Sequence, residues 1–141
     1  LSYMTDKLLI EGNTVAALDE LYIWLDNPVA VEYIRNALKR VRKKNSAMLM
    51  ASQNVEDFDR PGVREMTKPL FSIPPHQFLF NCGTVNKKEF MDLLQLEESE
   101  FNIIQAPHKG ECLYKCGNER YDLLVTAPAY KEKLFGKAGG K

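Results

Sequence analysis

The chain has 141 residues, 45% of them hydrophobic and 27% charged, which is enough for one soluble domain with a core of its own. Lys plus Arg and Asp plus Glu number 19 each, so net charge gives no pull toward a polyanion, and no apolar run approaches the roughly 20 residues of a membrane span. Cys82, Cys112 and Cys116 are an odd count without disulfide-framework spacing and no signal peptide is visible, which together point to a reducing cytoplasm.

Leu1, Met4 and Leu8 recur at helical spacing, and Gly12-Asn13 ends that segment. A first residue other than Met, already inside a helix, predicts a piece of a larger protein. Thr14 to Leu18 reads as a short buried strand. Ala16, Ala17 and Leu18 suit a helix as well, with Asn13 or Thr14 as its cap. Asn27 caps the next segment and Pro28 suits its first turn. Val31, Ile34, Leu38 and Val41 then form an apolar stripe, and Arg35, Lys39, Arg40, Arg42, Lys43 and Lys44 make the helix end basic.

Ala47 to Ala51 is continuously apolar, as a central parallel strand covered on both faces would be, and it ends in Ser52-Gln53-Asn54. Two strands joined by a long helix make a βαβ unit, whose ligands sit at the strand carboxyl ends. Asp19, Glu20 and Gln53 would share that edge. Pro61-Gly62 breaks a polar stretch before a short helix from Val63. Gln77 to Cys82 reads as a third strand, with His76 in the loop after Pro74-Pro75. Asn86 and Glu89 fit a capping box ahead of Phe90, Leu93 and Leu94. A further helix runs from Glu97 to Gln105. A hairpin follows, Glu111 to Lys115 and Arg120 to Thr126 around Gly117-Asn118, with Tyr121, Leu123 and Val125 on one face. Pro128 begins a last short helix, and Gly136 to Lys141 reads as a mobile tail. The fold class is α/β, a mainly parallel sheet flanked by helices with a carboxyl-terminal β-hairpin.

The doublet Asp19-Glu20 at a strand end, with Gln53 on the neighbouring strand, is the strongest chemical signal. A nucleotide-hydrolysing site needs a carboxylate for magnesium, a group that polarises water and one that senses the γ-phosphate, and Gln suits the last because its amide both donates and accepts. An isolated Asp-Glu pair is more often a solvated helix end. No Gly-x-x-x-x-Gly-Lys-Ser/Thr phosphate loop occurs, and the tail glycines have the wrong spacing. The basic run Arg35 to Lys44 fits either a solvated helix face, a contact with nucleic-acid phosphate, or an arginine reaching a neighbouring subunit, for which Arg42 is placed best. Cys112 and Cys116, with His108 nearby, are too widely spaced for an ordinary zinc site and read as structural thiols on one strand face. Tyr22 and Trp24 read as core.

Leu18-Asp19-Glu20-Leu21-Tyr22 with Trp24 and Leu25, Arg42-Lys43-Lys44-Asn45 leading into Met48 to Gln53, Asp57, Pro75-His76-Gln77-Phe78, Phe90 to Leu94, Glu97 to Phe101 and Gly110 to Tyr114 occur in that order. In that order the chain resembles the large cytoplasmic ATPase of bacterial conjugation and type IV secretion, a family of RecA-like P-loop NTPases. The resemblance implies that residues 1–135 are the carboxyl-terminal portion of a RecA-like ATPase domain whose phosphate-loop half is missing, with 136–141 as the tail. It implies that Asp19 helps bind magnesium, that Glu20 is the catalytic carboxylate and Gln53 the γ-phosphate sensor, and that Arg42 is an inter-subunit finger. It also implies ATP and magnesium in the parent and none bound to the fragment, self-association of the parent into a hexameric ring, partners among secretion components at the inner membrane, and a cytoplasmic site. DNA contact stays open. The alternatives are a non-catalytic adaptor that kept the fold and a nucleic-acid-binding α/β module using residues 35–44.

Overall fold

Backbone chemistry at a few residues sets the elements. The computed structural model describes residues 2–53, 58 and 63–136; Leu1, Asn54, Asp57, the Pro61-Gly62 break and the tail from residue 137 lie outside the described residues. The chain divides into two compact units, one of residues up to Pro75 together with Val85–Gln95, the other of His76–Thr84 and residues from Leu96 onward.

In the first unit, helix α1 (Ser2–Thr5) widens into a π-helical segment, Asp6–Glu11, that buries Leu8 and Leu9. Gly12 ends it at φ 76°, where a β-carbon would stand 2.5 Å from the Lys44 carbonyl oxygen, so only glycine fits this close approach of two chain segments. Strand β1 (Val15–Leu18) then pairs in parallel with β2 (Ala47–Met50), Val15 opposite Ala47 and Leu18 opposite Met50. Helix α2 (Pro28–Arg40) connects them. Asn27 caps it through its Oδ1, which accepts from the Val29 and Ala30 amides at 3.0 and 3.2 Å. The predicted stripe is the buried face: Val31, Ile34 and Val41 are in the core, joined by Ala30 and Ala37, with Leu38 packed beside them. Leu21, Leu25, Phe58 and Leu70 complete the cluster, and α3 (Arg64–Ser72) brings Leu70 to it. Thr67 is fully buried on α3 and donates to the Phe58 carbonyl at 2.6 Å. Asn86 caps α4 (Lys87–Leu94), which buries Phe90, Leu93 and Leu94.

In the second unit, β3 (His76–Leu79), β4 (Glu111–Cys116) and β5 (Glu119–Leu124) form an antiparallel sheet in the order β3-β4-β5. Gly117, at φ 58°, turns the hairpin. Helix α5 (Glu98–Gln105) opens on a reciprocal capping box between Glu97 and Glu100 and packs Phe101 and Ile104 inward. Helix α6 (Ala129–Phe135) buries nothing.

Five expectations change. The sheet is not mainly parallel: among the described residues one pair is parallel and three strands are antiparallel. The run Gln77 to Cys82 is a strand only to Leu79, begins one residue earlier, and joins the hairpin, because its antiparallel partner β4 lies beside it. His76 is therefore the first residue of a strand and not a loop residue. Finally, β1 is only half buried and β2 is not covered on both faces, since Val15, Ala17, Ala47 and Leu49 face solvent while Ala16, Leu18, Met48 and Met50 face inward. Tyr22 is likewise exposed, whereas Trp24 packs on the core.

Candidate functional site

Parallel pairing sends both strands out at the same edge. The Ala51 amide donates to the Leu18 carbonyl at 2.8 Å, and the Leu21 amide donates back to the Ala51 carbonyl at 2.9 Å. The two bonds close Asp19 and Glu20 into a turn across the end of β2. Ser52 and Gln53 follow Ala51 directly, so the doublet and the glutamine emerge from neighbouring strands at one carboxyl edge. Asp19 and Gln53 are exposed and Glu20 is half buried.

The turn has an unusual backbone. Glu20 adopts φ 51° and ψ 51°, the left-handed region, before the 3₁₀ turn Leu21–Trp24. A side chain there costs about 1–2 kcal/mol relative to glycine. Asp19 steadies the turn, its Oδ1 accepting from the Glu20 amide at 2.8 Å. Its other carboxylate oxygen makes no protein hydrogen bond among the described residues, so the site presents hard oxygen donors: that oxygen, the Glu20 carboxylate and the Gln53 amide. Among the described residues no group of three or more His, Cys, Asp or Glu could enclose a metal. Magnesium asks for less, since it keeps several waters and is commonly held by one or two carboxylates together with substrate phosphates, so the donor set fits that ion.

Arg42 is not brought to this edge. It lies in the 3₁₀ turn Val41–Lys44 that leads into the amino end of β2, the opposite end of the strand. Lys39, Arg40, Arg42, Lys43 and Lys44 are all exposed there, and none forms an ion pair within the described residues.

The thiols behave as structural groups. Cys112 is fully buried, Cys82 and Cys116 are half buried, and all three are free. Burial, with Asp122 adding to it, pushes the Cys112 thiol above its ordinary range, and burial does the same to Cys82. What sequence reasoning missed is an aromatic ladder across β3, β4 and β5. The His76 and Phe78 rings stack on Tyr114 at 6.0 and 4.6 Å, Tyr114 stacks on Tyr121 at 5.9 Å, and His76 Nδ1 and the Tyr114 hydroxyl share a hydrogen bond of 2.7 Å. The two-residue spacing of His76, Phe78 and Phe80 was the available signal.

No family model matches the sequence. Relatives are nonetheless found. The chain is 32% identical over 102 residues to a probable conjugal transfer protein TrbE of Sinorhizobium fredii, a match covering 70% of this chain and 15% of that protein. It is 29% identical over 139 residues to the conjugal transfer protein TrbE of Rhizobium radiobacter, covering 96% of this chain and 17% of that protein. Among solved structures, VirB4 of Thermoanaerobacter pseudethanolicus superposes with a TM-score of 0.83 at 27% identity, over 94% of this chain and 36% of VirB4. The chain thus resembles the ATPases of conjugation and type IV secretion, and spans less than a fifth of the length of these two curated relatives.

Proposed function

We propose that this chain, a relative of TrbE and VirB4, supplies the carboxyl-terminal part of an ATP-hydrolysing motor that powers conjugative transfer or type IV secretion. The observation that carries the reading is the shared carboxyl edge of β1 and β2, with Asp19, Glu20 and Gln53 on it. A carboxylate kept in a backbone conformation that favours glycine adds weight, because such conformations concentrate at functional sites.

Bound ATP and magnesium supply the phosphoryl group and neutralise its developing charge. The chain's own residues then divide the work. Asp19, through its free carboxylate oxygen, would hold the magnesium. Glu20 orients the attacking water and takes up its proton. Gln53 registers the γ-phosphate by donating or accepting through its amide. Arg42, at the far end of β2, serves a neighbouring subunit in a ring, its guanidinium meeting that subunit's phosphate. A phosphate loop has to come from sequence outside these residues. In this reading the motor works at the cytoplasmic face of the inner membrane with other secretion components.

Magnesium-dependent ATP turnover tests the division of labour. The 141-residue chain alone is expected to show none, and a longer polypeptide carrying a phosphate loop is expected to turn over. Hydrolysis by the isolated chain would contradict the assignment. A second reading rests on the unpaired cations at positions 39–44: a contact with nucleic-acid phosphate. Salt-sensitive DNA binding that disappears when Arg40, Arg42 and Lys43 become Ala would favour it.

A further inference from the structure

The 3₁₀ turn Val41–Lys44 presents Arg42, Lys43 and Lys44 to solvent, yet its backbone is tied down on two sides. Within the turn, the Asn45 amide donates to the Arg42 carbonyl at 3.2 Å and the Ser46 amide to the Val41 carbonyl at 3.0 Å. Toward β1, the Asn13 amide donates to the Lys44 carbonyl at 3.0 Å and the Ala47 amide to the Thr14 carbonyl at 2.9 Å. Gly12 packs against the same Lys44 carbonyl, where a side chain would not fit. Ser46 is buried, and its hydroxyl accepts from the Thr14 amide at 3.3 Å and donates to the Lys44 carbonyl at 3.4 Å.

A pair of asparagines closes the clasp. Asn13 and Asn45 both adopt the left-handed region, at φ 50° and 53°. Asn45 Nδ2 donates to Asn13 Oδ1 at 2.8 Å, joining residues 32 apart in sequence. As backbone alone, glycine would suit both positions better. Both asparagines are exposed, so water could satisfy either amide and the bond adds little to folding. What it adds is orientation. It restrains the turn from rotating about its backbone ties, and Arg42, three residues before Asn45, is restrained with it. Strand β1 leads from this clasp directly to Asp19 and Glu20, so the turn is fixed to the element that carries the doublet.

We infer that Asn13 and Asn45 are positioning residues for Arg42, holding its turn at the angle from which the guanidinium meets the neighbouring subunit's phosphate. This role rests on the motor reading, in which Arg42 acts on that phosphate, and adds to it the residues that aim the arginine. Rates respond to small misplacements of a reacting partner, so a bond worth little to folding carries weight in turnover.

Steady-state ATP turnover of a longer polypeptide carrying a phosphate loop tests it, with the 141-residue chain as the folding control. Asn13→Gly and Asn45→Gly keep or raise the urea midpoint of the 141-residue chain, because glycine relaxes both left-handed backbones. Each lowers kcat roughly 3- to 10-fold with KM for ATP unchanged. The double variant loses no more than either single one, since the same bond is broken in all three. Asn13→Asp, which keeps the acceptor oxygen, retains turnover. Mixing Asn45→Gly with Glu20→Gln polypeptides raises turnover above the sum of the two alone, because the second lends a correctly aimed Arg42 to the intact site of the first. Mixing Arg42→Ala with Glu20→Gln does the same. Wild-type turnover by Arg42→Ala removes the motor reading of that arginine, and the positioning role with it. Loss of turnover in Arg42→Ala, restored by Glu20→Gln, beside wild-type kcat in Asn45→Gly overturns the positioning role alone. A loss in Asn45→Gly that mixing does not restore overturns it as well.

Discussion

Glu20 is the residue where conformation and chemistry conflict most openly. Its left-handed backbone would be relaxed by glycine, at the loss of the carboxylate. Glu20→Gly is therefore expected to leave stability unchanged or raise it by up to about 1 kcal/mol, while Glu20→Val lowers it by about 1–2 kcal/mol. Urea midpoints of the two variants check this, and a clear loss on Gly substitution would mean that the side chain has a structural role. Cys112 makes a second residue-scale prediction. Below pH 9.0 its thiol is protonated in both the folded and the unfolded chain. As pH rises past 9.0 the unfolded thiol ionises while the buried one resists, so folding stability falls along the alkaline limb. Cys112→Ala is expected to flatten that limb in denaturation measured from neutral to alkaline pH. The doublet and Gln53 were legible as residue types, but the positive φ at Glu20 was not. That conformation comes from the turn that ties Leu21 to Ala51, a contact 30 residues away in sequence.

At the scale of elements, local signals were read well and pairing was not. Asn27, the Val31–Ile34–Leu38 stripe and Asn86 each announce a helix through contacts within a turn or two, and each helix stands where its cap puts it. The cap of α2 gives a direct check: Asn27→Ala removes the acceptor for two amides and is expected to lower stability by about 1 kcal/mol, with Asn27→Asp retaining most of it. Equal midpoints for wild type and Asn27→Ala would show that water satisfies those amides equally well. Strand partners, by contrast, depend on residues far apart. Nothing within Gln77 to Cys82 reveals that its neighbour runs antiparallel. A continuous apolar run such as Ala47 to Ala51 implies two covered faces, and here the outward Ala47 and Leu49 join Val15 and Ala17 in a bare apolar face.

For the molecule as a whole, the ordered series of motifs anticipated what the comparisons found, a resemblance to TrbE and VirB4 running almost the full length of the chain. Composition and zero net charge could not have led there, since they describe most globular domains equally well. The proposed motor requires sequence beyond these residues, and the relatives are several times longer. Nucleotide binding and ATP turnover, measured side by side on the longer polypeptide and its Glu20→Gln form, bear most directly on the role given to the β1–β2 edge. Binding should persist, and turnover should drop about 10²–10⁴-fold as the base that activates water is lost. Turnover at the wild-type rate would remove Glu20 from the chemistry and the nucleotide from this edge.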